Sequence, residues 1–248
     1  MSASAMAWLR LLRVSNYPTV VSNALVGCAI GSIGGEFAWR AFALAAAALL
    51  LLYAAGMALN DAVDAPLDRL ERPDRPIPSG QVPRPLAFAA ASACTAAAMA
   101  LLWFVGRRAD SPAFVLGGAL VACIVLYDTL HRVHPLMTIV MAACRGLAIL
   151  TAAACVLGDV PFDHINRLHW ASAGAIAGIE AAYVLAISLV ARAEAEKPTR
   201  VRIVVRLISA ICLLDAGLLA VLGRFAAMGL ALACFAATLA AQRKVIGS

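Results

Sequence analysis

Residues 41–60 read AFALAAAALLLLYAAGMALN, and residues 61–80 read DAVDAPLDRLERPDRPIPSG. The first stretch carries no charge and has the length that spans a hydrocarbon core of about 30 Å. Lipid offers the backbone no hydrogen-bond partner, so such a run must be helical. The second stretch brings acidic and basic groups together where the first leaves the membrane. Seven further apolar runs lie near 16–34, 85–106, 112–128, 136–157, 168–190, 203–222 and 225–242. No ten-residue alternation suggests a barrel. The expectation is an all-α, polytopic membrane bundle of about eight or nine spans, forming a single integral-membrane domain over 1–248. The tight Gly223-Arg224 junction between the last two runs leaves the count open at seven to nine.

Composition supports this reading. Hydrophobic residues make up 63% of the 248 and charged residues 14%, against roughly 45–50% and 25% in soluble domains. Mean hydropathy is +0.89. The net charge of +6 is no nucleic-acid signal, because the basic residues sit in short loops between apolar runs. Seven cysteines lie inside those runs without a CxxC pair, which argues for buried packing rather than disulfides or zinc. The first apolar run is too long for a cleavable signal peptide, and residues 5–14 read as an interfacial helix anchored by Trp8 and Arg13. Of the 20 basic residues, 14 fall on the side holding both termini and the loops after spans two, four and six. The positive-inside rule makes that side cytoplasmic.

In the second stretch Asn60, Asp64 and Asp68 recur every four residues, which on a helix stacks them in one stripe. Oxygen donors with no nearby Cys or His suit magnesium or another hard cation. Arg72 and Arg75 follow, and guanidinium grips phosphate oxygens bidentately. Together they suggest a site for a metal-bridged diphosphate. Pro66 is expected to stop a continuous helix, or to start a short one that turns Asp68 back towards the cavity. The plainer alternative is a solvated loop in which Asp and Arg simply pair.

The signature NDAVDAPLDRLERPDRPIPSG resembles the NxxxDxxxD and RPxRPxPxG pattern of the UbiA superfamily of intramembrane prenyltransferases. LRVSNYPTVVSN near the start and CRGL in the fifth run also fit, and the likeness is nearest to the bacterial EboC-like subgroup. The resemblance implies a helical bundle around a lipid-accessible cavity capped by cytoplasmic loops. It implies that a prenyl diphosphate ionises and its allylic group alkylates an aromatic or other lipophilic acceptor in the membrane. It also implies that Asn60, Asp64 and Asp68 bind Mg2+ and that Arg72 and Arg75 hold the diphosphate. His131 or Arg132 would take the place of a basic diphosphate-binding residue in the loop after span four. The second acidic cluster of the family, DxxxD after span six, is replaced by Arg192-Ala-Glu194-Ala-Glu196. Glu194 and Glu196 lie about 200° apart on a helix, so at most one could join a metal site, and Arg192 could supply charge there instead.

Arg145 sits nearly three turns inside span five. It either reaches the diphosphate or metal site or pairs with Asp128, Glu180 or Asp215, since charge at that depth needs a partner or a cavity. Asn16 and Asn23 line a cavity or bond to a neighbouring helix, Glu180 pairs with Arg145 or orients an acceptor, and Tyr53 lies below the metal site. Three other functions compete with prenyl transfer. A degenerate family member would bind or move a prenylated lipid, as the altered second cluster suggests. An ion-coupled transporter would use Arg145, Glu180 and Asp215. CDP-alcohol phosphotransfer lacks its DGxxAR pattern here.

Overall fold

The computed structural model describes residues 3–106, 110–158, 164–193 and 198–244. Among them the chain is entirely helical. A short α1 (Ala3–Leu11) leads through a 3-10 turn to α2 (Tyr17–Gly31), α3 (Trp39–Glu71), α4 (Arg84–Gly106) and α5 (Pro112–Leu130). α6 (Met137–Leu157), α7 (His164–Ala193), α8 (Pro198–Val221) and α9 (Phe225–Lys244) complete the bundle. Seven of these helices, α3 to α9, are long and apolar enough to cross a membrane. Seven of the eight expected spans correspond to these helices, the run near 16–34 forming the shorter α2, and Gly223, with φ +68°, makes the turn that separates α8 from α9.

α2 is the exception in length. Its 15 residues rise about 22 Å, short of a 30 Å core. Protein surrounds it instead of lipid. Leu25, Val26, Ala29 and Ile30 are wholly buried among side chains of α6, α7, α8 and α9, while Val20, Ala24 and Cys28 pack towards α3. Gly27 and Gly31 allow α6 this close: a Cβ on Gly27 would strike the Ile149 carbonyl, and one on Gly31 would lie 2.7 Å from Val156 Cβ. Small residues at such spacing are how membrane helices approach closely. All seven cysteines are free thiols, buried or half-buried. Trp103, Phe104, Val115 and Val125 stand exposed on α4 and α5, the faces that lipid would cover.

α3 overturns the expectation that Pro66 ends or restarts the helix. It runs unbroken for 33 residues with Pro66 inside. Proline cannot donate to the carbonyl four residues back, which is that of Ala62. Arg84, at the start of α4, donates its Nε to that carbonyl at 2.7 Å instead. α3 is therefore about 50 Å long, and its last three turns carry the acidic stripe beyond the apolar run. α1 braces this extension: Ala7 and Leu11 are buried against Ala58, Ala62 and Ala65 of α3 and against Ile77 and Val82 of the following loop.

The charged loops gather at one end. Arg13, Arg75 and Arg132 all reach α3 there, and Gln242 near the end of α9 bonds Asn16 and Ser209. At the opposite end Arg224 donates to the carbonyls of Ser32 and Gly35, tying the α8–α9 turn to the α2–α3 turn.

Candidate functional site

The acidic stripe faces inward. Asn60, Asp61, Asp64 and Asp68 are all buried, as are Asp128 at the end of α5 and Arg75 in the loop after α3. Asn60 Nδ2 donates to Asp128 Oδ1 at 3.1 Å, which ties α3 to α5. The solvated-loop alternative is thereby excluded: Asp68 is 0% and Asp64 6% exposed.

Each carboxylate in the row has a cation. Arg132, just beyond α5, puts Nε on Asp64 Oδ1 at 2.7 Å, Nη2 on Asp68 Oδ1 at 3.2 Å and Nη1 on Glu71 Oε2 at 3.3 Å. Arg75 holds Asp68 Oδ2 at 2.6 Å and lies 3.8 Å from Asp61. Arg13 Nη2 is 3.5 Å from Asp61, and His131 Nε2 is 3.4 Å from Asp64 Oδ2. His131 also stacks on Tyr127, with ring centroids 5.0 Å apart. The hydrogen bond to Asp64 and the nearby carboxylates raise the Arg132 pKa above its already high ordinary value, so this guanidinium stays charged at any physiological pH.

Asp61 and Arg13 were not singled out in the sequence as site residues. Asp61 is three residues before Asp64 and seven before Asp68, the other neighbour spacing on a helix face, and that signal could have found it. Arg13 carried no such signal. It is the one non-glycine with positive φ among the described residues (φ 47°), a left-handed conformation that costs roughly 1–2 kcal/mol and turns the chain from α1 into α2 beside the acidic row.

Beneath the row lies a cavity of about 550 Å3, within the range of small-molecule sites. Its walls come from α2, α3, α5, α6, α7 and α8. Arg13, Asn60 and Asp128 stand at its charged end, and Leu49, Leu120, Ile124 and Ile211 are among its apolar lining. Tyr53 is on the wall as expected, with its hydroxyl 3.4 Å from Asn16 Nδ2. Arg145 is also on the wall, eight residues into α6 and so about 12 Å from its start. Of the two alternatives for Arg145, the ion pair is not found: no carboxylate of the described residues lies within 4 Å, and Nη2 donates to the Thr19 carbonyl at 3.3 Å. Asn23 takes the second of its two alternatives, a bond to a neighbouring helix, and both it and Glu180 are buried behind the cavity wall, each 0% exposed. Asn23 Nδ2 donates to both oxygens of Asp215, at 3.1 and 3.0 Å, and Ser22 donates to the same carboxylate, so these polar groups join α2 to α8.

Arg72 is exposed at the end of α3, and its amide closes the helix on Asp68 O at 2.8 Å. Glu194 and Glu196 lie outside the described residues, as does the side chain of Arg192. The donor set of carboxylate and amide oxygens matches a hard divalent ion. Asp61 Oδ2 and Asp128 Oδ2 are buried without a hydrogen-bond partner, as oxygens awaiting a cation would be. Yet among the described residues no three acidic, His or Cys side chains converge on one point as metal ligands, because guanidinium groups occupy the spaces between them.

Comparison with known proteins agrees with this architecture. A digeranylgeranylglyceryl phosphate synthase of Methanoculleus marisnigri is 28% identical over 177 residues, covering 71% of this chain and 54% of that protein, so the chain spans about half the length of this curated relative. A UbiA homologue from Aeropyrum pernix K1 superposes with a TM-score of 0.63 at 19% identity, covering 92% of this chain and 97% of the other. A UbiA homologue from Archaeoglobus fulgidus bound to GPP and Mg2+ gives 0.55 at 16% identity, covering 94% and 84%. At those identities the structures share the fold. The model of the UbiA prenyltransferase family matches residues 20–246, nearly the whole chain, and to that family the chain belongs.

Proposed function

We propose that this protein transfers a prenyl group from a prenyl diphosphate to a lipophilic acceptor inside the membrane. The observation that carries the reading is the buried acidic row at the charged end of an apolar cavity of about 550 Å3. The Archaeoglobus homologue bound to GPP and Mg2+ supports both the donor and the ion. Asp61, Asp64, Asp68 and Asp128, with Asn60, would hold Mg2+, which when bound supplies positive charge to the departing diphosphate. Arg72, Arg75, His131 and Arg132 would grip the diphosphate oxygens as their charge grows, an effect strengthened in a dry site. The apolar wall holds the prenyl chain and keeps water from the allylic carbon. There the C–O bond to diphosphate breaks, the bond to the acceptor forms, and the acceptor loses a proton. Tyr53 and Arg145 would face the chain and the acceptor.

The name of the curated relatives makes a prenylated glyceryl phosphate the first acceptor to try, beside aromatic ones. A place in the EboC-like subgroup would make the protein a bacterial member of the family. The gathering of Arg13, Arg75 and Arg132 at one end supports a bacterial plasma membrane orientation with both termini in the cytoplasm. The sequence Arg192-Ala-Glu194-Ala-Glu196 in place of an aspartate pair favours one second reading, a protein that binds a prenylated lipid without turnover.

The test is protein in nanodiscs with labelled farnesyl or geranylgeranyl diphosphate, with and without Mg2+, across an acceptor panel. Magnesium-dependent diphosphate release that Asp64→Ala abolishes is the expected result. Tight binding without release favours the second reading. Absence of release together with unchanged ligand binding by Asp64→Ala refutes both.

A further inference from the structure

Arg132 has been assigned to the diphosphate, yet every nitrogen of its guanidinium is already engaged. Nε, Nη2 and Nη1 each bond a different carboxylate, those of Asp64, Asp68 and Glu71. Two of those three carboxylates are the expected metal ligands. A guanidinium so placed competes with a divalent ion for the same oxygens, and three of its five N–H donors are committed to carboxylates. Its side chain is 31% exposed, whereas those of Asp64 and Asp68 are 6% and 1% exposed. The carboxylates are therefore fixed in the bundle, and the arginine, on the short segment between α5 and α6, is the partner with room to leave.

The geometry points to Arg132 as an exchangeable counter-ion that closes the acidic row against metal alone and opens it when diphosphate arrives. This rests on the function proposed above. In the resting protein the guanidinium neutralises Asp64 and Asp68, which offsets the repulsion of closely stacked carboxylates. A metal entering by itself must displace that cation from Asp64 and Asp68 and leave it only the exposed Glu71. A metal entering with diphosphate gives the displaced arginine phosphate oxygens to bond instead, a favourable charge-assisted contact. The two ligands are thus coupled through one side chain, and such coupling typically amounts to about 5- to 150-fold in affinity. Arg75 repeats the arrangement on Asp68 at 2.6 Å but is itself buried, so it is the less mobile of the two. Arg132 is accordingly a positioning residue, and it makes the site selective for the metal–diphosphate pair over either ion.

The test uses the full-length protein in detergent and measures Mn2+ binding by electron paramagnetic resonance, first without any phosphate and then with inorganic pyrophosphate. Arg132→Gln is expected to bind Mn2+ alone about 10-fold more tightly than the parent protein and to bind the Mn2+–pyrophosphate pair more weakly. Arg132→Lys keeps the cation and should leave Mn2+-only affinity close to that of the parent. The opposite signs separate this role from others. A merely structural residue would weaken both measurements, and a simple diphosphate ligand would leave Mn2+-only affinity unchanged; either outcome overturns the inference. Thermal melting of each variant checks folding, and if Arg132→Gln does not fold, Arg132→Lys with Mn2+-only affinity raised 10-fold would overturn it equally. If neither protein binds Mn2+ with pyrophosphate and Asp64→Asn changes nothing, the metal–diphosphate reading of the site fails instead.

Discussion

Replacing Arg84 by Ala should destabilise the bundle through the backbone of another helix. The Ala62 carbonyl loses its helical donor because residue 66 is proline, and Arg84 Nε supplies the substitute at 2.7 Å. Ala62 is 0% exposed, so removing the guanidinium leaves a buried acceptor unpaired, at a cost of about 1–3 kcal/mol. Arg84 also sits 5.4 Å over the Phe88 ring, and that contact is lost as well. A double-mutant cycle separates the two. With Pro66→Ala the residue-66 amide can bond Ala62 directly, so Arg84→Ala should then cost only the ring contact, and a coupling energy of about 1–2 kcal/mol should remain. The measurement is unfolding in mixed SDS and detergent micelles, followed by far-ultraviolet circular dichroism. Equal cost of Arg84→Ala in both backgrounds, within about 0.5 kcal/mol, would show that Arg84 does not complete the helix.

Three further outcomes are expected. Asp64→Asn, which preserves shape and removes charge, should lower diphosphate release by about 100- to 1,000-fold, the size of a lost electrostatic contact in a dry site, read in the labelled-donor assay. Gly27→Ala should destabilise the protein by about 1–3 kcal/mol through overpacking, since its Cβ would lie 2.6 Å from Ala152 Cβ as well as against the Ile149 carbonyl; the same micelle unfolding measures it. Gly56 lines the cavity, and a Cβ there already meets Ile124 Cγ2 at 3.2 Å, so Gly56→Ile should shift competition between farnesyl and geranylgeranyl donors towards the shorter.

What could be read from the chain alone follows the range of each interaction. The helices were legible because length and apolarity are local properties, and lipid leaves the backbone no other choice. The continuation of α3 past Pro66 was not, because its remedy comes from Arg84, 22 residues away. The row of Asn60, Asp64 and Asp68 was visible as a helical spacing with Arg75 seven residues beyond it, but the cation that bridges Asp64 and Asp68, Arg132, lies 68 and 64 residues from them. Arg145 was recognised as buried charge, while its partner is the backbone carbonyl of Thr19, a group every residue owns and no sequence marks. Asn23 was placed on one of its two alternatives: it bonds α8 through Asp215 rather than lining the chamber.

The clasp of Arg224 on the Ser32 and Gly35 carbonyls bears on how the prenylated substrate proposed above would enter and leave. It rivets four helices together at the end remote from the acidic row, where Phe37, Trp39 and Phe42 also stack. That rim is fastened by bonds to backbone carbonyls, whereas the acidic rim is held by ion pairs that an arriving diphosphate would itself rearrange. Under the function proposed above, donor and product would then both pass through the leaflet beside the arginine-rich rim, with no need to flip.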